Sequence, residues 1–434
     1  MYNYDGRGDA ERAPTLTRIA GIVCEYNPFH EGHQYQIDTL RREYGAEAVV
    51  CVMSGHFMQR GEPAVVGKDR RGMMALAGGA DLVVELPALY ATRSAYWFAL
   101  GGVCLLAAAG ATHIAFGAET DALADLQATA ARLARPDSLY TDSLRRYLSA
   151  GLSFAEAQAK ALNCGDSYSF VPALPNDRLA LSYLQVVAEN NLPLTPILIP
   201  REGSAYHETV LQAAEGRLAS ASAIRRRLAE GADLYGAREL STAQLRSIGV
   251  ARHIPAAALP WLANTRLVFS RDAASVQLAL LRRASPDTLR TLPDMTEGLE
   301  HRVWRAAAHA GSLEEFYSLL KTRRYTLTRL QRLVTHLLID YREVHAAELA
   351  AGPPYLRVLG ATAAGRQLLH RIKKETAIPV VTRTSQIKAL ARQDAHAANT
   401  WEVELRASAL YGLLAGSDFS KGNPEYFISS VMLP

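Results

Sequence analysis

Five mostly apolar runs punctuate the first half of the chain, each stopped by a loop-forming residue. Thr17–Cys24 (TRIAGIVC) runs into a loop containing Asn27-Pro28, and Ala48–Met53 (AVVCVM) stops at Ser54-Gly55. Asp81–Leu86 (DLVVEL) ends at Pro87, His113–Phe116 at Gly117, and Leu194–Ile199 (LTPILI) at Pro200. Between the first two, residues His33 to Tyr44 carry helical spacing. Apolar runs of strand length alternating with helical segments are what a parallel sheet covered on both faces requires. They predict a doubly wound, Rossmann-like α/β domain. Pro196 cannot donate to a ladder and places the fifth run at an edge or starting late.

The alternation then changes. Ala99–Ala109 (ALGGVCLLAAA) reads as a buried helix, too short to span a membrane at the ~18 residues that needs. Asp121–Asn163 is helical in spacing, with Ser153 and Glu156 placed as a capping box. Beyond about residue 235 strand signals fade, and helical patterns cover Ala274–Arg283, Leu299–Ala310, Leu313–Leu320, Leu327–Tyr341 and Ser385–Asp394. The expected organisation is a disordered extension over residues 1–17, an α/β domain over 18–235 with a helical insertion at about 121–165, and a mainly α-helical domain over 236–434.

Charge sharpens that division. Residues 1–250 hold 23 basic and 27 acidic side chains, whereas 251–434 hold 24 and 16. An acidic half followed by a basic one points to a catalytic part and a part that meets a polyanion, the alternative being a solvated basic surface. The polar N-terminus lacks an apolar signal core, so a cytoplasmic protein without membrane attachment is expected. Cys24, Cys51, Cys104 and Cys164 are widely spaced, with no Cys-x-x-Cys pair, which leaves a zinc or disulfide framework without support.

The chemistry concentrates in the first loop. His30-Glu31-Gly32-His33 follows the first strand and opens the first helix, where a doubly wound fold binds phosphates. A helix N-terminus offers free N–H groups, and Gly32 lets a ligand approach the backbone. Two imidazoles three residues apart share a helical face and can donate to phosphate oxygens. A zinc His-Glu-x-x-His motif needs histidines at i and i+4, so this spacing excludes it. Further on, Ser220-Ala221-Ser222-Ala223-Ile224-Arg225 resembles the Ser-Ser/Thr-x-Ile-Arg phosphate motif of nucleotidyltransferases, with Ala221 where a hydroxyl is common. Ser222 and Arg225 are candidate phosphate ligands, and Ser222 as a plain helix cap is the alternative.

The longer string Gly21–Gln36 (GIVCEYNPFHEGHQYQ), with Ser54-Gly55-His56-Phe57-Met58-Gln59-Arg60-Gly61-Glu62-Pro63-Ala64, resembles the tRNA(Met) cytidine acetate ligase family of His-x-Gly-His nucleotidyltransferases. Phe116-Gly117-Ala118-Glu119, Leu174-Pro175-Asn176-Asp177, Arg201–His207 and Glu404–Ala407 match as well. The resemblance implies an enzyme that activates acetate with ATP as acetyl-adenylate. It then transfers acetyl to N4 of the wobble cytidine of elongator tRNA(Met), giving N4-acetylcytidine. It implies ATP contacts at Val23, Cys24, Glu25, Tyr26, Asn27, Pro28, Phe29, His30, Glu31, Gly32, His33, Gln34, Tyr35, Gln36, Gly117, Asn176 and Arg201, with His30 and His33 catalytic. Mg²⁺ is expected with ATP, with no ligand named and no other metal.

Arg60 and Lys68, on or near the 54–64 loop, can face substrate or RNA, or simply belong to a turn. In the basic half, Lys321, Arg323, Arg324, Arg329 and Arg332 cluster around Tyr325, and Lys373 and Lys374 lie in a second cluster. Arg323, Arg324, Lys373 and Lys374 are the candidate tRNA contacts. Two other functions stay open at this point: a small-molecule adenylyltransferase of coenzyme metabolism, and a non-catalytic RNA-binding protein on a nucleotidyltransferase fold.

Overall fold

The computed structural model describes residues 16–164, 170–172, 174–200, 219–296, 298–322, 325–420 and 422–433. The extension before residue 16, Arg201, Arg323 and Arg324 lie outside them. The five apolar runs form five strands: β1 (Ile19–Cys24), β2 (Ala48–Ser54), β3 (Leu82–Leu86), β4 (His113–Ala118) and β5 (Thr195–Pro200). Three more come from the second half: β6 (Leu356–Ala361), β7 (Val380–Val381) and β8 (Val431–Met432). The sheet order is β5-β4-β1-β2-β3-β6-β7, with β8 also paired to β6. β1 to β5 are mutually parallel, and β6 joins β3 antiparallel. β5, with Pro196, is at the end of that order, as its proline requires.

Alternation explains the double cover. Along β2, Ala48, Val50 and Val52 enter one apolar core, while Val49, Cys51 and Met53 enter another. Successive strand residues point to opposite faces, so an unbroken apolar run needs helices on both. Helices of eight residues or more are α1 (Glu31–Arg42), α2 (Lys68–Ala77), α3 (Ala95–Ala108), α4 (Leu123–Ala134), α5 (Ser138–Ser149), α6 (Phe154–Leu162), α7 (Pro175–Glu189) and α8 (Ala221–Tyr235). The second half adds α9 (Ser270–Arg283), α10 (Leu299–His309), α11 (Leu313–Leu320), α12 (Leu327–Leu338), α13 (Ala363–Glu375), α14 (Thr384–Ala391) and α15 (Ala395–Leu414). Ser153 and Glu156 form the expected capping box at α6. α9 to α12 enclose a core of their own, including Leu281, Val303, Phe316 and Leu333.

The second half is mainly helical, yet it also completes the sheet. Sequence reading misses β6 because LRVLGA is a short apolar run inside helical patterns, and a partner strand decides such cases. The seam between β3, β6 and α15 holds a buried ionic cluster. Lys68 Nζ lies 2.5 Å from Glu85, 3.0 Å from Glu404 and 2.9 Å from Glu425, while Arg357 contacts Glu85 and Glu425. Lys68 is 0% exposed, which corrects its reading as a residue facing substrate or RNA. Arg60 lines the main cavity. No described helix is long and apolar enough to cross a membrane.

Candidate active site

A doubly wound sheet opens a crevice where successive connections leave in opposite directions. Here that point lies between β1, which leads to β2, and β4, on its other side. A cavity of about 740 Å³ occupies it, lined by Ile22–Asn27 at the end of β1 and Ala115–Gly117 of β4. Its volume suits a nucleotide-sized ligand, since such pockets span ~300–1,000 Å³. Among the residues expected to contact ATP, the cavity gathers Val23, Cys24, Glu25, Tyr26, Asn27, His30, His33, Gln36, Gly117 and Asn176, together with Ser222 and Arg225. Pro28, Phe29, Glu31, Gly32, Gln34 and Tyr35 are not among its lining residues. Phe29 is buried with its ring 4.9 Å from Tyr26 and supports the loop, while Gln34 donates to Asp38 within α1.

The two histidines meet by stacking. His30 is the N-cap of α1 with extended backbone, and His33 is the third helical residue, so the shared helical face expected from sequence is not how they are related. Their rings stack with centroids 3.8 Å apart. His30 Nδ1 accepts the Gly32 N–H at 3.0 Å, and His33 Nδ1 accepts the His30 N–H at 3.2 Å. A neutral imidazole accepting at Nδ1 carries its proton on Nε2. The backbone thereby sets both side chains as Nε2–H donors beside the positive end of α1. Tyr26, at φ 45°, holds its ring 4.6 Å from His33. The unusual backbone angle belongs to Tyr26, and not to Asn27 as its residue type suggests. Asn27 Oδ1 accepts the Val65 N–H at 2.7 Å.

The opposite wall joins two motifs that are distant in sequence. Asn176 Nδ2 donates to Glu119 Oε1 at 2.5 Å, and Glu119 Oε2 accepts the Asp177 N–H at 3.0 Å. Asp177 Oδ1 in turn accepts the N–H groups of Glu119 and Thr120 at 2.8 and 3.2 Å. Asn176 is the second residue of α7, whose N-cap is Leu174, so it does not cap the helix. Glu119 and Asp177 fix the Asn176 amide beside Gly117. Both stand in motifs matched from sequence, but their pairing becomes visible only when β4 and α7 pack together. An Asn176→Ala variant should weaken ATP binding by about 3–10-fold, the worth of one neutral hydrogen bond; equilibrium titration with a non-hydrolysable ATP analogue checks this.

At α8, Ser220 is the cap: its side chain accepts the Ala223 N–H at 3.1 Å. The cap alternative for Ser222 is thus corrected, because Ser222 is the second helical residue, two positions beyond the cap. It accepts from Arg225 at 3.4 Å, and Arg225 also donates to the Asn27 carbonyl at 2.9 Å. The 54–64 loop closes the cavity floor with Gln59 and Arg60 and is clamped to the second half. Gly61 has φ 81°, a Cβ on it would lie 2.6 Å from the Gln331 backbone, and its carbonyl accepts from Thr335 at 2.8 Å. From α12 and its cap, Thr326, Thr328 and Arg332 line the same cavity. A positive φ and a backbone clash both forbid a side chain there. Gly61→Ala should therefore lower stability and loosen this wall, read as an earlier urea transition together with weaker nucleotide binding.

The tRNA candidates distribute unequally. Lys373 and Lys374 are exposed on α13. The neighbouring Arg371 donates to the Leu16 and Gly110 carbonyls, which precede β1 and β4, so this cluster lies at the amino ends of the strands. The cavity lies at the carboxyl ends, and the structure does not bring the two together. Tyr325, the aromatic at the centre of the first basic cluster, is buried with Arg302 and Arg329 each 5.2 Å from its ring, so it is not available to stack on a base.

The chain matches known proteins over nearly its whole length. The profile of the HIGH Nucleotidyl Transferase family covers residues 17–424. The tRNA(Met) cytidine acetate ligase of Syntrophomonas wolfei is 37% identical, over 93% of this chain and 98% of the relative. That of Thermoanaerobacter sp. (strain X514) is 34% identical, over 92% and 98%. The crystal structure of Thermotoga maritima TmcAL bound with alpha-thio ATP superposes with a TM-score of 0.84 at 27% identity, covering 96% of this chain and all of that one. The chain belongs to the tRNA(Met) cytidine acetate ligases, a ligase family of the HIGH nucleotidyl transferases.

Proposed function

We propose that the protein binds ATP in the β1/β4 cavity, condenses it with acetate to acetyl-adenylate and pyrophosphate, and passes the acetyl group to N4 of the wobble cytidine of elongator tRNA(Met). The observation that carries this reading is the stacked His30–His33 pair, with both Nδ1 atoms bound to backbone N–H groups. Acetate attacks the α-phosphorus in line while charge grows on the phosphate oxygens. Two Nε2–H donors and the α1 N-terminus meet that charge without reorganising. Ser222 and Arg225 add donors for the departing pyrophosphate, with Arg201 as a further phosphate or acetate partner. Names of relatives and the ATP analogue in the Thermotoga maritima structure support ATP and a tRNA acceptor. A cytoplasmic place follows from a tRNA substrate.

Mg²⁺ fits no protein cage among the described residues. Glu25 is the one carboxylate among the described lining residues, and the one three-carboxylate cluster among the described residues surrounds the Lys68 ammonium. A magnesium ion entering with ATP would depend on the phosphates and water, as Mg²⁺ commonly does.

Acetate-dependent ATP–pyrophosphate exchange without tRNA tests the first half-reaction. Exchange that requires acetate supports the reading; exchange with a coenzyme precursor in its place would favour the small-molecule adenylyltransferase. For the acceptor, paired charge reversal at Arg323 with Arg324, or at Lys373 with Lys374, should weaken tRNA binding and leave exchange intact. Filter binding across a salt series checks it. With each pair removing up to two phosphate contacts, the log–log salt slope should fall by roughly 1–2.

A further inference from the structure

Acyl transfer to an amine needs a proton acceptor, and the described cavity offers few. As the N4–C bond forms and the bond from the acetyl carbon to the AMP oxygen breaks, N4 must lose one proton while AMP leaves with the electron pair. Both histidines hold their protons on Nε2 and commit Nδ1 to backbone N–H groups, so they donate. Burial raises the Cys24 thiol and the Tyr26 and Tyr183 hydroxyls, keeping them protonated. The remaining ionisable lining residues are arginines, Tyr96 and Glu25. Tyr96 is spent donating to Glu189 at 2.8 Å.

Glu25 is placed for the task. It follows the last residue of β1, next to Tyr26, whose ring touches His33. Its Oε1 accepts the Gln59 N–H at 2.6 Å, which fixes the carboxylate against the 54–64 loop. Its own carbonyl accepts from Arg71 at 2.7 Å, so the backbone beneath is anchored to α2. Arg332, Thr326 and Thr328 line the same cavity from the half read as the tRNA-binding one.

We propose that Glu25 is the catalytic base of the transfer step, taking the N4 proton of the acceptor cytidine as AMP departs. The inference rests on the acetyl-transfer reading above. Several groups face the carboxylate: Gln59, Arg60 and Glu62 from the loop, and Arg225 from α8. Burial pushes its pKa up and Glu62 pushes the same way, while the Gln59 N–H, Arg225 and Arg60 oppose. Held this way, its ionised form is a stronger base than an ordinary carboxylate. Because the ionised form acts, transfer should rise with pH through an acid limb lying above the ordinary value of 4.5.

The test loads the full-length protein with ATP and acetate, mixes it rapidly with unmodified tRNA, and follows N4-acetylcytidine. Acetate-dependent pyrophosphate exchange is measured on the same preparation. Any effect of Glu25→Gln on nucleotide binding enters both rates, so their ratio isolates the transfer step. The ratio should fall by about 10²-fold or more, the usual worth of a general base, and the acid limb should vanish. Glu25→Asp keeps the carboxylate and should retain the limb with a smaller loss; it also serves if the glutamine variant does not fold. A ratio within about threefold of wild type, or an unchanged acid limb in Glu25→Gln, overturns the proposal. A wild-type protein lacking acetate-dependent exchange overturns the underlying reading and this inference with it.

Discussion

Replacing His33 by alanine, or His30 by asparagine, should lower acetate-dependent pyrophosphate exchange by about 10²–10³-fold, the usual loss for one preorganised oxyanion donor. Asparagine is chosen at position 30 because His30 also caps α1. An alanine there would remove the cap as well, at a cost of about 0.5–2 kcal/mol, and mix folding with chemistry. Asparagine accepts the Gly32 N–H and lacks the Nε2–H. The two effects should not add. His33 Nδ1 accepts the His30 N–H, and the rings stack at 3.8 Å, so losing one partner releases the other. The double variant should fall little below the worse single one. Steady-state exchange with ATP titrated separately checks whether the loss lies in turnover, as a donor acting on the developing charge requires.

The second large effect concerns stability. Lys68→Met should cost about 3–5 kcal/mol, because it leaves Glu85, Glu404 and Glu425 buried with Arg357 alone. Glu404→Gln should cost far less. Burial first, then the charge of Glu85, raises the Glu404 carboxyl to about 7, so near neutrality it is already part-protonated. Two cations facing two remaining carboxylates are better balanced than two facing three. The sign of the pH effect follows. The folded state holds the Glu404 proton more tightly than the unfolded chain does, so this group favours folding below about 4.5 and loses that contribution as pH rises towards about 7. Glu425 behaves oppositely: although burial opposes it, Arg357 and Lys68 hold its carboxyl well below the usual range, and its contribution is lost only in acid. Urea midpoints measured from pH 4.5 to 7.5 should show the wild-type slope from Glu404 and its loss in Glu404→Gln. An unchanged midpoint for Lys68→Met would sink this account of the seam.

The carboxyl ends of the strands were legible because apolar runs, stops and loop residues are local features. His30 and His33 could be placed in a candidate site from spacing and position, whereas Gly117 entered it only through the family resemblance. Other features depended on contacts far apart in sequence. The α1 cap turned the histidines into a stacked pair; nothing in His-Glu-Gly-His announces which nitrogen the backbone will occupy. Lys68 reads as a loop cation until β3, β6 and α15 surround it, and Glu404 sits 336 residues away. The burial of Tyr325 beneath Arg302 of α10 and Arg329 of α12 leaves no periodic trace in so short a stretch. β6 escaped for the same reason: its strand character is conferred by β3.

The measurement that bears most directly on the whole account is incubation of the protein with labelled acetate, ATP and total tRNA, followed by nucleoside analysis. The account predicts label in N4-acetylcytidine, confined to elongator tRNA(Met) and dependent on ATP. Label absent from tRNA, while acetate still drives pyrophosphate exchange, would contradict it.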